Sequence, residues 1–223
     1  FKLDRFGLPD PSTGSRSSVP HALLAEGVEL GGRTVSVDSH LVTSELNPKW
    51  AKQGVLFGSL GRLVAEHGDL LRPFFERRVV DPYKDRFSAL NAACWSGGPL
   101  LYVPKGVRID EPLHTLSALG DGGTDLAKVM VILEPGAEAT FLTETASSSL
   151  EASGLHCGSI ELIIEKGARV CYADLQDGGH EARHFAHQKA HVGREANLQW
   201  TIGALGAKLA KVNQHVALTG PDA

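Results

Sequence analysis

Five glycine-centred turn signatures recur along the chain from residue 103: VPKGV at 103–107, EPGAEA at 134–139, EKGARV at 165–170, VGREAN at 192–197 and TGPDA at 219–223. Their glycines fall at 106, 136, 167, 193 and 220, at intervals of 30, 31, 26 and 27. Runs rich in β-formers precede most of them (LLYV, VMVIL, IELII, HVAL). A repeat of this size marks a solenoid, because one unit of two short strands and a turn cannot cover its own apolar face and must stack on its neighbours. Pro135-Gly136 and Lys166-Gly167 supply the fixed φ and the left-handed residue that a tight corner needs. The period-2 alternation of Ala196, Leu198, Trp200 and Ile202 with polar residues is strand spacing. The polar stretches 120–127 and 145–154 read as loops leaving the solenoid surface. The reading is therefore mainly β, a parallel β-helix; an antiparallel jelly roll with five Gly-rich hairpins is the rival.

Before residue 99 the pattern differs. Residues 7–20 (GLPDPSTGSRSSVP) hold too little apolar surface to offset ordering and read as a linker. Leu60, Leu63, Val64, His67, Leu70, Leu71, Phe74 and Phe75 recur at helical steps. Gly68-Asp69 reads as a stop followed by a new N-cap. Asp81-Pro82 reads as the cap of a last helix over about 82–95, with Phe87, Leu90 and Cys94 on one side and Gly97-Gly98-Pro99 ending it. The division expected is a linker and small helical N-terminal region over 1–98, then a β-helix over 99–223 that continues past the chain.

A formal charge of −4 exerts no pull towards phosphates, so nucleic-acid binding is a poor first guess. Three scattered cysteines, Cys94, Cys157 and Cys171, suit a reducing compartment, and cytoplasm is the simplest localisation. No apolar run reaches the ~20 residues of a membrane span and no signal layout opens the chain. It starts on Phe1 and stops on Gly220-Pro221-Asp222-Ala223, and both ends read as cut.

His180, His184, His187 and His191 could hold a transition metal if they converged, but on a strand 184 and 187 point to opposite faces. A solvated rim loop is the better reading of that segment. Cys157 and Cys171 could serve as thiolates if activated; buried packing is the commoner role. Where a cupin-like jelly roll would place H-x-H after its PGA turn, this chain has Thr140 to Glu144. Asp174 and Asp177 form the nearest acid pair, and Asp at a strand end more often caps a turn. No P-loop, dinucleotide fingerprint or nucleophile elbow occurs. Arg72, Arg77 and Arg78, interleaved with Phe74, Phe75, Val79 and Val80, offer a possible partner surface, with a solvated helix face as the default. No residue is assigned as catalytic or as a metal ligand.

FSALNAACWSGGPLLYVPKGVRIDEPL (87–113), VMVILEPGAEATFLTET (129–145) and IELIIEKGARVCYADLQ (160–176) together resemble the SufB/SufD family of iron-sulfur cluster assembly proteins. The resemblance covers roughly 54–223, and the lead-in GVLFGSLGRLVAEHGDLL is similar as well. It implies a right-handed parallel β-helix acting as a non-catalytic scaffold subunit of the SUF complex, paired with a SufB-like paralogue and a SufC-like ATPase. The Fe-S cluster would be assembled by the complex, with no cofactor bound by this fragment. The strand His215, Val216, Ala217, Leu218 lacks the Cys of the SufB pattern and looks more like SufD. Interface and ATPase-docking residues are expected downstream of residue 223. Open strand edges predict aggregation or a homodimer for the isolated fragment. The contrasting expectation is a β-helix or cupin-like metal-dependent enzyme acting on a small molecule.

Overall fold

The computed structural model describes residues 6–8 and 19–223; most of the segment read as a linker lies outside the described residues. The described chain runs β1 (Gly32–Val37), β2 (His40–Leu46), α1 (Pro48–Ala51), β3 (Leu56–Ser59), α2 (Leu60–Glu66), α3 (Gly68–Phe75), α4 (Arg86–Cys94), β4 (Pro99–Val103), β5 (Leu113–Leu119), β6 (Gly123–Asp125) and β7 (Lys128–Leu133). It continues through β8 (Glu138–Ser147), β9 (Ser153–Ile164), β10 (Arg169–Asp177), β11 (Glu181–Val192), β12 (Asn197–Gly206) and β13 (Leu209–Leu218). Two sheets form, ordered β12-β10-β8-β5-β1-β2 and β13-β11-β9-β7-β4-β3, with β6 pairing β9 off this path. From β4 onward, apart from the short β6 that shares a sheet with β7, successive strands alternate between the sheets, and every neighbour within a sheet runs parallel. This is a parallel β-helix of about four turns, and the hairpin-based jelly roll is excluded.

Each coil turns one end through a tight corner. The corners are tied internally by Val107 N–H to Pro104, Ala137 to Glu134, Ala168 to Glu165 and Ala196 to Gly193 carbonyls. They are tied to one another by Gly106 N–H to Pro135, Gly136 to Lys166, Gly167 to Arg194 and Glu195 to Pro221 carbonyls. In this ladder the equivalent residues are 106, 136, 167 and 195, and the left-handed conformation follows them: φ is 72°, 72° and 67° at Gly106, Gly136 and Gly167, then 56° at Glu195, with 58° at Asp222. The last two corners therefore centre two residues beyond Gly193 and Gly220, and the true intervals are 30, 31, 28 and 27. A left-handed L-residue costs roughly 1–2 kcal/mol where Gly costs little. Glu195→Gly should thus stabilise the chain by about 0.5–1 kcal/mol, and Gly136→Ala should destabilise it by about 1 kcal/mol, read from urea midpoints.

Near the corners the interior is apolar. Leu101, Val103, Leu113, Val131, Leu133, Leu162, Ile164 and Val170 are buried there, with the corner alanines 137, 168 and 196 closing the layer. Through it runs a file of edge-to-face aromatic pairs, Phe57 to Phe141 at 5.8 Å, Phe141 to Tyr172 at 5.8 Å and Tyr172 to Trp200 at 5.5 Å.

The region expected to be linker and helix also contributes three strands. β1 joins the stack parallel to β5, and β2 folds back antiparallel through Asp38-Ser39, both at positive φ (48° and 69°), as a two-residue primed turn requires. Antiparallel β3 closes the other sheet against β4. These antiparallel strands end the parallel ladder at its N-terminal side.

Helices α2, α3 and α4 lie on the outer face of the β3–β13 sheet, whereas Trp50 of α1 packs into the interior core. Leu60, Leu63, Leu71 and Phe74 are buried against Leu100, Tyr102, Met130, Ile132 and Ile163, as the helical periodicity predicts, while Leu70 stays exposed. The caps differ from expectation. Gly68 opens α3 rather than ending α2, and its N-cap is His67, with Asp69 inside the first turn. The last helix begins at Arg86 rather than near Pro82, because Asp85 and Ser88 form a reciprocal capping box, while the Asp81 carboxylate accepts the Tyr83 N–H in a local turn. Phe87, Leu90 and Cys94 share its packed face.

Candidate functional site

Away from the corners the solenoid interior becomes polar, and the coil period dictates which groups meet. Thr143, on β8, donates to Asp174 one coil later on β10 at 2.9 Å, and the Gln188 amide of β11 donates to the other Asp174 oxygen. Asp125 accepts from Ser39 (2.6 Å) and Ser117 (2.6 Å) and bonds His156 Nδ1 one coil on (2.8 Å). Ser39 in turn accepts the Leu126 N–H. The His156 ring lies on that of His184, which the β9–β11 register places directly beside it, at 4.4 Å and 11°. Among these groups is a small space of about 30 Å³ bordered by Thr115, Ser117, Thr143, His156, Asp174 and Gln188, roomy and polar enough for an ordered water.

Electrostatics follow from these contacts. Burial alone would raise the Asp125 carboxyl, but bonds from His156, its charge, and bonds from Ser117 and Ser39 hold it below the usual carboxylate range. At Asp174 burial prevails over its bonds from Thr143 and Gln188, and the carboxyl is raised. His184 is held well below the usual imidazole range by burial and then by the neighbouring His156, against the opposing charge of Asp125.

The sign at His184 is definite. An imidazole harder to protonate when folded than unfolded makes stability fall as pH drops below the ordinary value near 6.5. Asp174, raised on folding, acts in the opposite sense, so the His184 effect is read by difference. Between pH 7 and 5, His184→Gln should flatten the pH dependence of the urea-derived stability by up to about 1.4 kcal/mol per pH unit relative to the parent chain.

Two further polar clusters fasten covering segments to the sheets. On the outer face of the β1–β12 sheet, Glu144 bonds His114 at 2.8 Å and accepts the Leu23 and Leu24 N–H groups at 2.8 Å each. On the other sheet, Asn91 of α4 donates to the Ala127 and Cys157 carbonyls at 3.0 Å and accepts from Ser159 at 2.7 Å.

The sequence candidates separate accordingly. His180 is exposed, whereas 181–192 form strand β11 rather than a rim loop, with His184 and His187 buried. His184 points inward and His187 outward, where it bonds Asp85 at 3.2 Å, so the histidines do not converge. Among the described residues no group of three or more His, Cys, Asp or Glu side chains could hold a metal ion. Asp174 sits inside β10 as a buried interior group rather than a turn cap, while Asp177 ends the strand. Cys157 is buried against Phe87 and Phe185. Burial, then the charges of Asp85 and Asp125, push its thiol up to about 12, the reverse of an activated nucleophile. Cys94 and Cys171 are free and half-buried. Arg77 pairs with Glu165 at 2.6 Å and lies over Phe74, Arg72 meets Asp69 at 4.0 Å, and Arg78 is exposed.

The buried polar pairs were missed by motif reading although they carry a signal: His114–Glu144, Asp125–His156 and Thr143–Asp174 are separated by 30, 31 and 31 residues, one coil each. No helix among the described residues is long and apolar enough to cross a membrane.

Residues 32–115 match the family model for the SufBD protein N-terminal region, and 116–223 match that for the SUF system FeS cluster assembly SufBD core domain. Similar curated proteins named iron-sulfur cluster assembly SufBD family protein come from Staphylococcus epidermidis strain RP62A (28% identical over 222 residues) and Staphylococcus haemolyticus (27% over 222 residues). Each alignment covers 99% of this chain and 44% of the relative, so the chain spans less than half the length of these relatives. With two adjoining models of one family matched from residue 32 to 223 on a parallel β-helix, the chain belongs to the SufBD family of iron-sulfur cluster assembly proteins.

Proposed function

We propose that this chain is part of a non-catalytic scaffold subunit of a SUF-type complex in the cytoplasm, paired with a SufB-like paralogue and served by a SufC-like ATPase. The cluster is the cargo of that complex, with no cofactor resident in this portion. The observation that carries the reading is the continuous family match over 32–223. It is supported by the chemistry of the interior, where Asp125 bonds His156 and Asp174 is held by Thr143 and Gln188, and by a Cys157 thiol pushed away from thiolate formation. A SufD-like identity is favoured by the strand His215-Val216-Ala217-Leu218, which has no Cys. The metal-dependent enzyme reading finds no support in histidines that leave β11 on opposite faces.

Co-expression of the full-length gene product with the SufB-like and SufC-like proteins of the same genome tests the proposal. Co-elution of the three on size exclusion is expected. Elution of the full-length protein alone, with its partners soluble and present, would contradict it.

A further inference from the structure

A groove lies between the loop after α3 and the outer face of β11 and β13. It has a volume of about 370 Å³ and is lined by Asp81 and Lys84 from the loop, His187 and Lys189 from β11, and Asn213 and His215 from β13. The parallel register makes these strand residues a two-by-two plate, His187 beside Asn213 and Lys189 beside His215. Alternation along each strand sends all four side chains to the same face, outside the solenoid.

The carboxylates nearby are already engaged. Asp81 accepts the Tyr83 N–H, and Asp85 caps α4, bonds His187 and lies 3.9 Å from Lys211. Lys84 and Lys189, by contrast, have no carboxylate within ion-pair distance among the described residues. The strip beyond is also electropositive: burial and then Lys189 and Arg77 disfavour charging of His191, with His215 adding to them and only Glu161 opposing. Glu161 is itself paired with Lys128. His187 Nε2 is shared between Asp85 and the Asn213 amide, at 3.2 and 3.3 Å, so the groups left to meet a ligand made of acceptors are the two ammonium groups and the His215 ring, and the two lysines oppose a metal cation. The volume is within the range of small-molecule sites.

We infer that this groove binds small multivalent oxyanions of the phosphate or polycarboxylate class, held by Lys84 and Lys189 over the His187–Asn213–His215 plate. The inference is independent of the assembly role.

Calorimetric titration of the full-length gene product with inorganic phosphate and, separately, citrate at low ionic strength tests it. Lys84→Gln/Lys189→Gln is the test variant and Lys105→Gln/Lys166→Gln, at two exposed corner lysines, the charge-matched control. Both test lysines lie at the surface or half-buried, and circular dichroism verifies that the variants fold. Saturable binding of at least one anion is expected, weakened about tenfold or more in the test variant and unchanged in the control. Failure of both anions to saturate, or equal binding by the test variant and the parent, overturns the inference.

Discussion

Asp125→Ala should release the N-terminal hairpin from the solenoid and cost roughly 3–5 kcal/mol, the range for removing one partner of a buried ionic cluster. The fully buried carboxylate joins three separate parts of the chain: Ser39 in the β1–β2 turn, Ser117 on β5 and His156 on β9. Its loss leaves those donors buried and unsatisfied. Urea unfolding measures the energy, and limited proteolysis near residues 38–40 reports the freed turn. Asp125→Asn, which keeps an acceptor of the same shape, should lose less. An alanine variant within about 1 kcal/mol of the parent would show that the hairpin is held by strand pairing alone.

Phe141→Ala should be comparably severe, at about 3–5 kcal/mol. Phe141 is fully buried midway in the aromatic file and touches Phe57 from the opposite sheet and Tyr172 from the next coil. Truncation opens a cavity that coils fixed by their corners cannot close, whereas Phe141→Leu fills part of it. Chemical denaturation of both variants checks the order, and equal losses would mean that ring geometry matters more than volume.

The coil architecture was readable because a corner is local chemistry. A Pro or Lys followed by Gly specifies the dihedral angles without help from the rest of the chain, as at Gly136 and Gly167. The same reasoning misplaced the last two corners by two residues, since Glu195 and Asp222 take the left-handed position where packing and the ladder impose it on residues that do not prefer it. The N-terminal strands escaped notice for a related reason. GRTVSV and HLVTSEL are short and partly polar, and Thr34 and Ser36 are at home inside only because Thr115 and Ser117 await them one strand away. At the interior site, single-residue reasoning treated His184 as rim and Asp174 as cap. Both judgements priced a lone polar side chain against water, whereas their partners lie in adjoining coils or, as Asp174 and Gln188 show, across the interior in the opposite sheet.

The two ends of each coil differ in how tightly length is fixed. From β7 onward every corner uses four residues between strands (134–137, 165–168 and 193–196), whereas the opposite connections take five residues at 148–152, three at 178–180 and two at 207–208. Adding or deleting a residue at a corner would shift the next strand by one position and exchange its buried and solvent faces, while the same change at the far end is absorbed outside the ladder. Grafted loops, affinity tags and lineage-specific extensions therefore have one permissive side on this molecule, and peptide inserted at 149–151 should leave the winding intact.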